Sequence, residues 1–425
     1  MIGDVMLIEF SVANYLSFKD RVTFSMVASS DDALQESIVF SIGKKRLVKS
    51  AIIYGANASG KSNLLNAMHF MRRMVLVSSK DTQANEEIDV DNFKLSTECE
   101  DKPSFFEIVF IQNGNIYRYG FEADRKRIHT EWLFTVPSTK EAELFVREDS
   151  RFKVNRSRFR EGMALDTKTR ENALFLSVCA QFNGEVSRDL LLWFRNFRFV
   201  HALNDYAYLG VTVNKLTMPE QKHRVMEMTR IADLCIDDIE GREEKLTIEK
   251  LPKDMPEEMK RDIVKRGITE VELKTTHRKY GKNNQDVGTV IFDLEENESG
   301  GTQKFLSMAG SLLDAIETGS ILVIDELDAR LHPLLTRAIV ALFNSLANDK
   351  NAQLIFATHD TNLLSNKFFR RDQIWFTEKD RYGVSDLYSL VELRGVRKEA
   401  SFGKDYILGK YGAIPFIGDM TWLFS

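Results

Sequence analysis

Residues 51–63 read AIIYGANASGKSN, and positions 55–62 of this segment fit the pattern G-x-x-x-x-G-K-[ST] without a mismatch. The apolar residues before Gly55 predict a strand, and those after Lys61 recur at helical spacing and predict a helix. A glycine-rich loop between a strand and a helix surrounds a phosphate with its N–H groups, next to the positive end of the helix dipole. Lys61 would reach the β- and γ-phosphates, and Ser62 would bind Mg²⁺. We therefore predict a nucleotide site formed by Gly55, Asn57, Ala58, Ser59, Gly60, Lys61, Ser62 and Asn63.

An apolar strand over 321–324 is followed directly by two carboxylates, Asp325 and Glu326. Because alternate side chains of a strand point to opposite faces, these carboxylates should leave the strand in different directions. Nucleotide hydrolysis needs both a ligand for the metal and a group that acts on water. We predict that Asp325 binds Mg²⁺ and that Glu326 orients or deprotonates the attacking water, which makes Glu326 a catalytic residue together with Lys61.

Two shorter segments complete the predicted site. Ser299-Gly300-Gly301 opens a predicted helix over about 302–316, with Ser299 as its N-terminal cap, and a helix start of this kind is a second anion site. A predicted strand over 353–357 delivers His359 just past its end, where an imidazole is placed to bond a γ-phosphate oxygen. The alternation of strands and helices in this last third of the chain predicts a parallel sheet covered by helices.

In the order 55–62, 299–301, Asp325-Glu326, Leu327-Asp328 and His359, these motifs resemble the nucleotide site of ABC-type ATPases, in the branch that includes SMC, RecF and OLD-like proteins. The resemblance implies an α/β fold, an ABC-type P-loop nucleotide-binding head with a mixed central sheet, a β-rich lobe and an inserted helical lobe. It implies ATP and Mg²⁺ as cofactors and ATP hydrolysis as the activity. By this likeness Asp328 is the D-loop aspartate and His359 the catalytic switch histidine, and Ser299, Gly300 and Gly301 are the signature that closes on the ATP of a second subunit. Gln181 is the candidate glutamine that couples the metal to the helical lobe, although a surface glutamine fits that position equally well.

The motifs also divide the chain. The phosphate loop and the two carboxylates lie near opposite ends of it, so one core must combine residues 1–90 with residues 299–425. Residues 91–184 are β-rich, with an Asn113-Gly114 turn between two strand-like runs, and continue the core as a lobe. Residues 185–298 combine helical periodicity with a charge-dense segment over 243–282 and are predicted as an inserted helical lobe that leads to the signature.

The composition excludes several classes of protein. Apolar residues make up 43% of the 425 residues and charged residues 28%, which is typical of a globular protein and excludes global disorder. The net charge is −5, so nucleic-acid binding would need a local patch. No apolar run approaches the roughly 18 residues of a membrane span, Asp4 and Glu9 argue against a signal peptide, and three widely spaced cysteines suit a reducing compartment. We therefore expect a cytoplasmic protein without a membrane partner.

Three further segments, at 8–19, 327–333 and 409–415, resemble stand-alone OLD-like ATPases of bacterial antiviral operons, including RloA-like proteins and the ATPase subunit of PARIS-type systems. This resemblance implies a sensor or latch of anti-phage defence that controls a separately encoded effector, such as a TOPRIM-like nuclease toxin from a neighbouring gene. It also implies a homo-oligomer in which two chains sandwich two ATP molecules, with higher assembly as an extension. Two alternatives stay open: a RecF-like DNA-binding ATPase of repair or recombination, and an ATP-binding scaffold with negligible hydrolysis.

Two surface segments are candidates for choosing a partner. Residues 151–160 carry two aromatic rings and five positive charges, which suit contact with phosphates, as in DNA, or with an acidic partner; the solvated face of a β-hairpin is the other interpretation. The charges are those of Arg151, Lys153, Arg156, Arg158 and Arg160. The apolar residues at 414–417 and 422–424 are predicted either to pack into the core of the chain or to form an interface with an oligomer or effector.

Overall fold

The computed structural model describes residues 5–80, 83, 86–137, 140–201, 206–251, 255–265, 269–415, 418 and 420–424. The strands are β1 (Val5–Ala13), β2 (Val22–Ser25), β3 (Val39–Ile42), β4 (Lys45–Val48), β5 (Ser50–Tyr54), β6 (Ser104–Gln112), β7 (Asn115–Ala123), β8 (Ile128–Val136), β9 (Ala142–Glu148), β10 (Arg151–Val154), β11 (Phe197–His201), β12 (Asp238–Lys245), β13 (Thr269–Tyr280), β14 (Asp286–Asp293), β15 (Ile321–Asp325), β16 (Gln353–Ala357), β17 (Ile374–Lys379) and β18 (Ser385–Ser389). The α-helices are α1 (Gln35–Ile38), α2 (Lys61–Val77), α3 (Phe175–Gln181), α4 (Glu185–Asn196), α5 (Tyr206–Leu216), α6 (Pro219–Ile231), α7 (Glu257–Lys265), α8 (Leu294–Asn297), α9 (Gly300–Thr318), α10 (Pro333–Phe343) and α11 (Phe402–Ile407). The chain divides into a first unit, formed by Met1–Phe199, Thr318–Leu327 and Arg337–Ser425, and a second unit, formed by Val200–Glu317 and Asp328–Thr336.

The first unit contains a seven-stranded sheet in the order β10-β9-β8-β7-β6-β1-β2. All of its neighbouring strands are antiparallel. Asn113 and Gly114 join β6 to β7 with positive φ angles of 51° and 74°, the conformation of a tight hairpin turn that these residue types favour. On the inner face of the sheet, Phe10, Phe106 and Phe121 are fully buried. The predicted β-rich lobe is therefore present.

A six-stranded sheet, which belongs to the first unit except for the last two residues of β11, places the predicted site strands side by side. Its order is β11-β15-β16-β5-β17-β18, in which β15, β16, β5 and β17 are parallel and β18 is antiparallel to β17. Every residue of β5 and β16 is buried, as expected for central strands of such a sheet. Ile324 pairs with Phe356, and Phe356 pairs with Ile52, so β15, β16 and β5 end at the same edge. This mixed sheet confirms the predicted α/β fold class.

Helix α2 follows the phosphate loop and packs against the antiparallel sheet through an aromatic cluster. The ring of Phe70 lies 5.5 Å from that of Tyr15 and 4.9 Å from that of Phe106. Burial raises the pKa of Tyr15 to about 12, so its hydroxyl stays neutral at physiological pH. The cluster fixes α2, and with it the helical end of the phosphate loop, against β1 and β6.

The second unit contains a three-stranded antiparallel sheet in the order β12-β13-β14, together with α5 to α8 and most of α9. Helix α5 approaches the sheet closely at Gly241, where a Cβ would lie 2.8 Å from the side chain of Val213. The predicted helical lobe over 185–298 needs a correction, because β12, β13 and β14 occupy much of it. Burial along β13 alternates at Val271, Leu273 and Thr275 with the two-residue period of a strand, which the high charge density of the segment concealed.

Two of the exclusions drawn from the sequence concern membranes and cysteines. In the part of the chain that the structure describes, no helix combines the length and the apolar character that crossing a membrane requires. Cys99 and Cys179 are buried, Cys235 is exposed, and all three are free thiols, as predicted. Burial holds the pKa of Cys179 far above its usual value, so this thiol is unreactive.

Candidate functional site

The phosphate loop connects β5 to α2 and depends on glycine at both ends. A Cβ at Gly55 would lie 2.4 Å from the main-chain oxygen of Thr377 and 2.4 Å from Ser59 Oγ, and a Cβ at Gly60 would lie 2.5 Å from Ser385 Oγ. Gly60 also has a φ of 119°, which residues with a side chain rarely adopt. Since real Cβ atoms do not approach so closely, the loop can close only without side chains at these two positions.

Lys61 is the first residue of α2, and its side chain turns back over the loop. Its Nζ donates hydrogen bonds to the main-chain oxygens of Gly55 (2.9 Å) and Ala56 (3.1 Å). Asn57 and Ala58 are exposed, and Ala58 has a positive φ of 62°. The ammonium group therefore lies at the loop, where phosphate oxygens can replace the two carbonyls as its acceptors.

A network of side-chain hydrogen bonds supports the loop from other parts of the chain. Ser385 Oγ donates to the main-chain oxygen of Ser59 at 2.6 Å and lies 2.8 Å from Ser17 Oγ. Asn63 Nδ2 donates to Ser17 Oγ at 2.7 Å, and Ser59 Oγ lies 2.6 Å from Thr377 Oγ1. The sequence has no motif for Ser17, Thr377 or Ser385. Only the pairing of β17 with β5 and with β18 brings two of these hydroxyls to the loop.

Strand β15 delivers the two predicted catalytic carboxylates. Asp325 is its last residue, and Asp325 Oδ1 is buried without a hydrogen-bond partner among the described residues. Glu326 has a φ of 50°, in the left-handed region, so the chain turns at this residue and does not continue the strand. The strand alternation that the sequence predicted for Glu326 therefore does not apply. A left-handed non-glycine residue costs about 1–3 kcal/mol, and such strain is concentrated at functional sites.

Strand β16 lies between β15 and β5 and carries His359 just past its end. Thr358 N donates to the main-chain oxygen of Ile53 at 3.2 Å, which ties this end of β16 to the strand before the phosphate loop. His359 is exposed there. The main-chain oxygen of Asp360 accepts a hydrogen bond from Tyr54 Oη at 2.9 Å, and its Oδ2 is buried without a partner in the described part of the chain. The structure thus brings the predicted switch histidine to the same sheet edge as the loop and the carboxylates.

These residues fit a magnesium ion that is held together with nucleotide phosphates. Mg²⁺ usually keeps several waters and takes one or two protein oxygens in addition to phosphate oxygens. The unpartnered Oδ1 of Asp325 would supply a carboxylate ligand, and Ser62, which is half-buried in the first turn of α2, would supply a hydroxyl.

A pocket of about 220 Å³ adjoins the hydrogen-bond network around the loop. Its lining includes Leu16, Ser17, Asn63, Lys94, Leu95 and Lys379. Ser17 and Asn63 belong to the network. Lys94 forms an ion pair at 2.8 Å with Asp91, which also lines the pocket, and Lys379 adds a further positive charge. The pocket thus combines apolar surface with polar and charged side chains, as small-molecule sites do.

The signature residues begin α9 in the second unit. Ser299 Oγ accepts a hydrogen bond from Thr302 N at 3.1 Å, which confirms Ser299 as the N-terminal cap. A Cβ at Gly301 would lie 2.8 Å from the main-chain oxygen of Arg330, so this glycine allows the helix start to approach the segment that follows Asp328. Ser299 and Asp328 both belong to the second unit. The phosphate loop, the two carboxylates and the predicted switch histidine belong to the first unit.

Gln181 is the last residue of α3 and is exposed. The other end of α3 is held by Glu131 of β8, a fully buried carboxylate that accepts hydrogen bonds from Phe175 N (2.6 Å), Leu176 N (3.0 Å) and Tyr119 Oη (3.0 Å). Burial raises the pKa of Glu131. Helix α3 therefore has a fixed position in the first unit, and the metal-coupling role of Gln181 stays a prediction.

The basic segment over 151–160 directs its aromatic residues and its charges to different surroundings. Phe159 is buried, and the half-buried ring of Phe152 lies 4.9 Å from that of Phe175, so both aromatic residues pack against the rest of the chain. Lys153 forms an ion pair with Glu143 at 3.0 Å. The remaining cations are exposed and form no ion pair with any residue that the structure describes: Arg151, Arg156, Arg158 and Arg160. The segment thus presents four unpaired positive charges.

The C-terminal apolar segment is only partly described. Trp422 is 83% exposed, so the expectation that it packs into the core is wrong for this residue. Phe416 and Ile417, which belong to the same prediction, lie outside the described residues.

Comparison with known proteins gives one family and several solved structures. Residues 50–365 match the AAA_21 family, described as "AAA domain, putative AbiEii toxin, Type IV TA system". No curated protein matches the chain. The SmcHead bound to the C-winged helix domain of ScpA is 14% identical, with 90% of this chain and 97% of that chain covered and a TM-score of 0.43. The SMC head domain from Thermotoga maritima is 16% identical, with 90% of this chain and 98% of that chain covered and a TM-score of 0.39. The recombination mediator protein RecF with ATP in the RecFOR pathway is 14% identical, with 91% of this chain and 100% of that chain covered and a TM-score of 0.33.

Proposed function

The chain belongs to the AAA_21 family of AAA domains, and from this premise we propose that it is an ABC-type ATPase that binds ATP with Mg²⁺ and hydrolyses it. One observation supports the proposal most directly. Three neighbouring parallel strands, β5, β16 and β15, end at one edge of the mixed sheet, and they carry the phosphate loop, His359 and the Asp325-Glu326 pair. A phosphate loop, a carboxylate with an unpartnered oxygen and a second carboxylate beside it are the parts that nucleotide hydrolysis requires.

Each residue of the site has a role in the proposed reaction. The main-chain N–H groups of the loop hold the phosphates, and Lys61 Nζ exchanges its loop carbonyls for phosphate oxygens. Asp325 and Ser62 would hold Mg²⁺, which neutralises phosphate charge when bound. Glu326 orients the attacking water and accepts its proton, and His359 donates a hydrogen bond to a γ-phosphate oxygen.

The active form in this proposal is a two-fold dimer with two ATP molecules. Each ATP would contact Lys61 of one chain and the signature, Ser299 to Gly301, of the other, with Asp328 at the interface between them. Binding of ATP closes the dimer, and hydrolysis opens it. The ATP state thus acts as a conformational latch.

The test uses two variants that separate binding from hydrolysis. Lys61→Ala should weaken ATP binding at least about tenfold, since the loop loses its positive charge. Glu326→Gln should keep ATP affinity within about threefold and lower hydrolysis about 100-fold or more, since it removes the proton acceptor. Glu148→Gln, at an exposed position of β9, is the matched control. Hydrolysis by Glu326→Gln at the parental rate would contradict the assignment, and tight ATP binding with near-zero parental turnover would select the scaffold alternative.

For the biological role, we propose a sensor or latch that controls a separately encoded effector in bacterial anti-phage defence. The family description, which names a toxin of a toxin–antitoxin system, supports an effector context, and the exposed Trp422 offers an apolar anchor for a partner. The test is co-expression with the product of the neighbouring gene, followed by purification with and without ATP. Recovery of a nuclease partner in an ATP-dependent complex is expected. A chain that purifies without a protein partner and retains DNA would contradict this role.

A second candidate function is a RecF-like DNA-binding ATPase, and the four unpaired arginines of the 151–160 segment favour it. If they contact phosphates, the double variant Arg156→Glu with Arg158→Glu should abolish salt-dependent DNA binding in a fluorescence titration. Lys44→Glu with Lys45→Glu makes the same change of charge on another exposed hairpin and serves as the control. Strong stimulation of ATP turnover by DNA would favour this function, and unchanged DNA binding by the arginine variant would remove the segment from consideration.

A further inference from the structure

A hydrogen-bonded cluster in the second unit lies directly before the signature. Glu298 Oε1 accepts a hydrogen bond from Thr275 Oγ1 and lies 2.7 Å from His277 Nε2. Thr275 and His277 are both on β13, and only 8% of the Glu298 side chain is exposed. The next residue, Ser299, caps α9. One buried carboxylate therefore connects the three-stranded sheet to the residue that begins the signature.

Polar groups lie within hydrogen-bond distance of both ring nitrogens of His277. Nδ1 lies 3.0 Å from the main-chain oxygen of Cys235, which can only accept, so Nδ1 must carry a hydrogen. Nε2 lies 2.7 Å from Glu298 Oε1 and 3.1 Å from Thr275 Oγ1. The ring also packs against Phe292, with 4.7 Å between centroids. These contacts with Cys235, Glu298 and Phe292 hold the His277 ring in place. His277 can therefore hold the Glu298 side chain in one position.

The main chain on the other side of Glu298 is fixed as well. Gln303 Nε2 donates to the main-chain oxygens of Leu294 (2.9 Å) and Glu298 (3.1 Å). The close approach of Gly301 to Arg330 leaves no room for the helix start to shift in that direction. The residue that precedes the signature is therefore held at its side chain by Thr275 and His277 and at its main chain by Gln303.

We propose that His277 is a positioning residue for the ATPase reaction: through Glu298 it holds Ser299-Gly300-Gly301 in the conformation that contacts ATP on a second copy of the chain. The inference rests on the proposed function, because it needs the signature to act across a dimer. Main-chain N–H groups at a helix start bind phosphate only when they point at it, and their direction depends on the cap and on the residue before the cap. A shift of about 1 Å in a group of this kind lowers a rate by up to roughly 100-fold.

The test compares variants that break the contact with variants that preserve it. In His277→Ala and Glu298→Ala, kcat should fall about 10- to 100-fold. In a Glu326→Gln background, both should also weaken ATP-driven self-association about tenfold in sedimentation velocity. His277→Gln and Glu298→Gln each keep a donor and an acceptor across the contact, so kcat should stay within about threefold of the parental value. The Kd of a fluorescent ATP analogue should change less than about twofold in all four, since the phosphate loop lies in the first unit.

Two controls make the result specific. His223→Ala removes an exposed histidine on α6 and should behave as the parent. Thermal unfolding of each variant identifies one that does not fold, and if His277→Ala is such a variant, the Glu298 pair supplies the same comparison. Parental kcat in the alanine variants, or equal losses in the alanine and glutamine variants, would overturn the positioning role. Failure of the unsubstituted chain to bind ATP or to self-associate would overturn the proposed function instead, so the two failures are distinguishable.

Discussion

Glu326 has a φ of 50°, in the region that glycine prefers, and it directly follows Asp325, whose Oδ1 is buried without a partner among the described residues. Each feature lowers stability. The backbone strain costs about 1–3 kcal/mol, and a buried acceptor without a hydrogen bond costs about 1–3 kcal/mol. Neither feature stabilises the fold. A function at this position that needs a free carboxylate oxygen on Asp325 and a redirected Glu326 side chain explains both. Stability lost at a functional site for this reason is common.

Gly60→Ala should weaken ATP binding at least about tenfold, as measured by titration with a fluorescent ATP analogue. The added Cβ would lie 2.5 Å from Ser385 Oγ, so the hydroxyl that supports Ser59 would have to move. Gly395→Ala is the matched control, because Gly395 also has a positive φ of 81° but no atom within 4 Å of the Cβ position. Equal weakening in both variants would mean that backbone strain, and not the contact with Ser385, decides the result.

At the scale of elements, the sequence predicted those helices and strands whose signals are local. Strand β16 covers 353–357 as predicted, and α9 begins and ends within about two residues of its predicted bounds. Such elements have a regular pattern of apolar residues and a recognisable boundary, such as the Ser299 cap of α9 or the carboxylates at the end of β15. The sheet of β12, β13 and β14 escaped prediction because its strands are charged and exposed along much of their length, and their pairing is long-range.

Some residues of the candidate site can be predicted from local sequence motifs, and others cannot. The phosphate loop, the carboxylate pair and His359 are recognisable because each is a short motif at the end of a strand or the start of a helix. The supporting hydroxyls of Ser17, Thr377 and Ser385 are not recognisable, because their contacts depend on the order of strands in the sheet. The left-handed turn at Glu326 also has no local sign, since glutamate is not a residue that favours this conformation.

Glu131→Ala should destabilise the first unit by about 3–5 kcal/mol, measured by urea denaturation, because it removes a buried charge that has bonded partners. Two N–H groups at the start of α3 and the hydroxyl of Tyr119 would lose their acceptor, and the buried Arg147, 3.9 Å away, would lose its counter-charge. Glu148→Ala, at an exposed position on β9, should change stability by about 0.5 kcal/mol or less. A loss below about 1 kcal/mol in Glu131→Ala would show that α3 does not depend on this cap.

At the scale of the whole molecule, three separate segments of the chain build the first unit, and each contributes one part of the candidate site. Met1–Phe199 carries the phosphate loop, Thr318–Leu327 carries Asp325 and Glu326, and Arg337–Ser425 carries His359. The second unit carries Ser299 and Asp328. The residues proposed to act on one ATP therefore fall into two sets. Whether one chain or two supply both sets to the same ATP is a property of the assembly, and it can be measured.

Mixing two inactive variants tests this directly. In the proposed dimer, Lys61→Ala and Ser299→Arg each disable both sites when alone. A mixed dimer has one site with both defects and one with none, so an equimolar mixture should regain about a quarter of the parental rate per chain if sites work independently and chains exchange freely. A mixture of Lys61→Ala with Glu326→Gln is the control, because both residues belong to the first unit and every site then keeps one defect. If Lys61 and Ser299 instead act on the same ATP within one chain, the first mixture should stay as inactive as the control, since no chain in it has both residues intact.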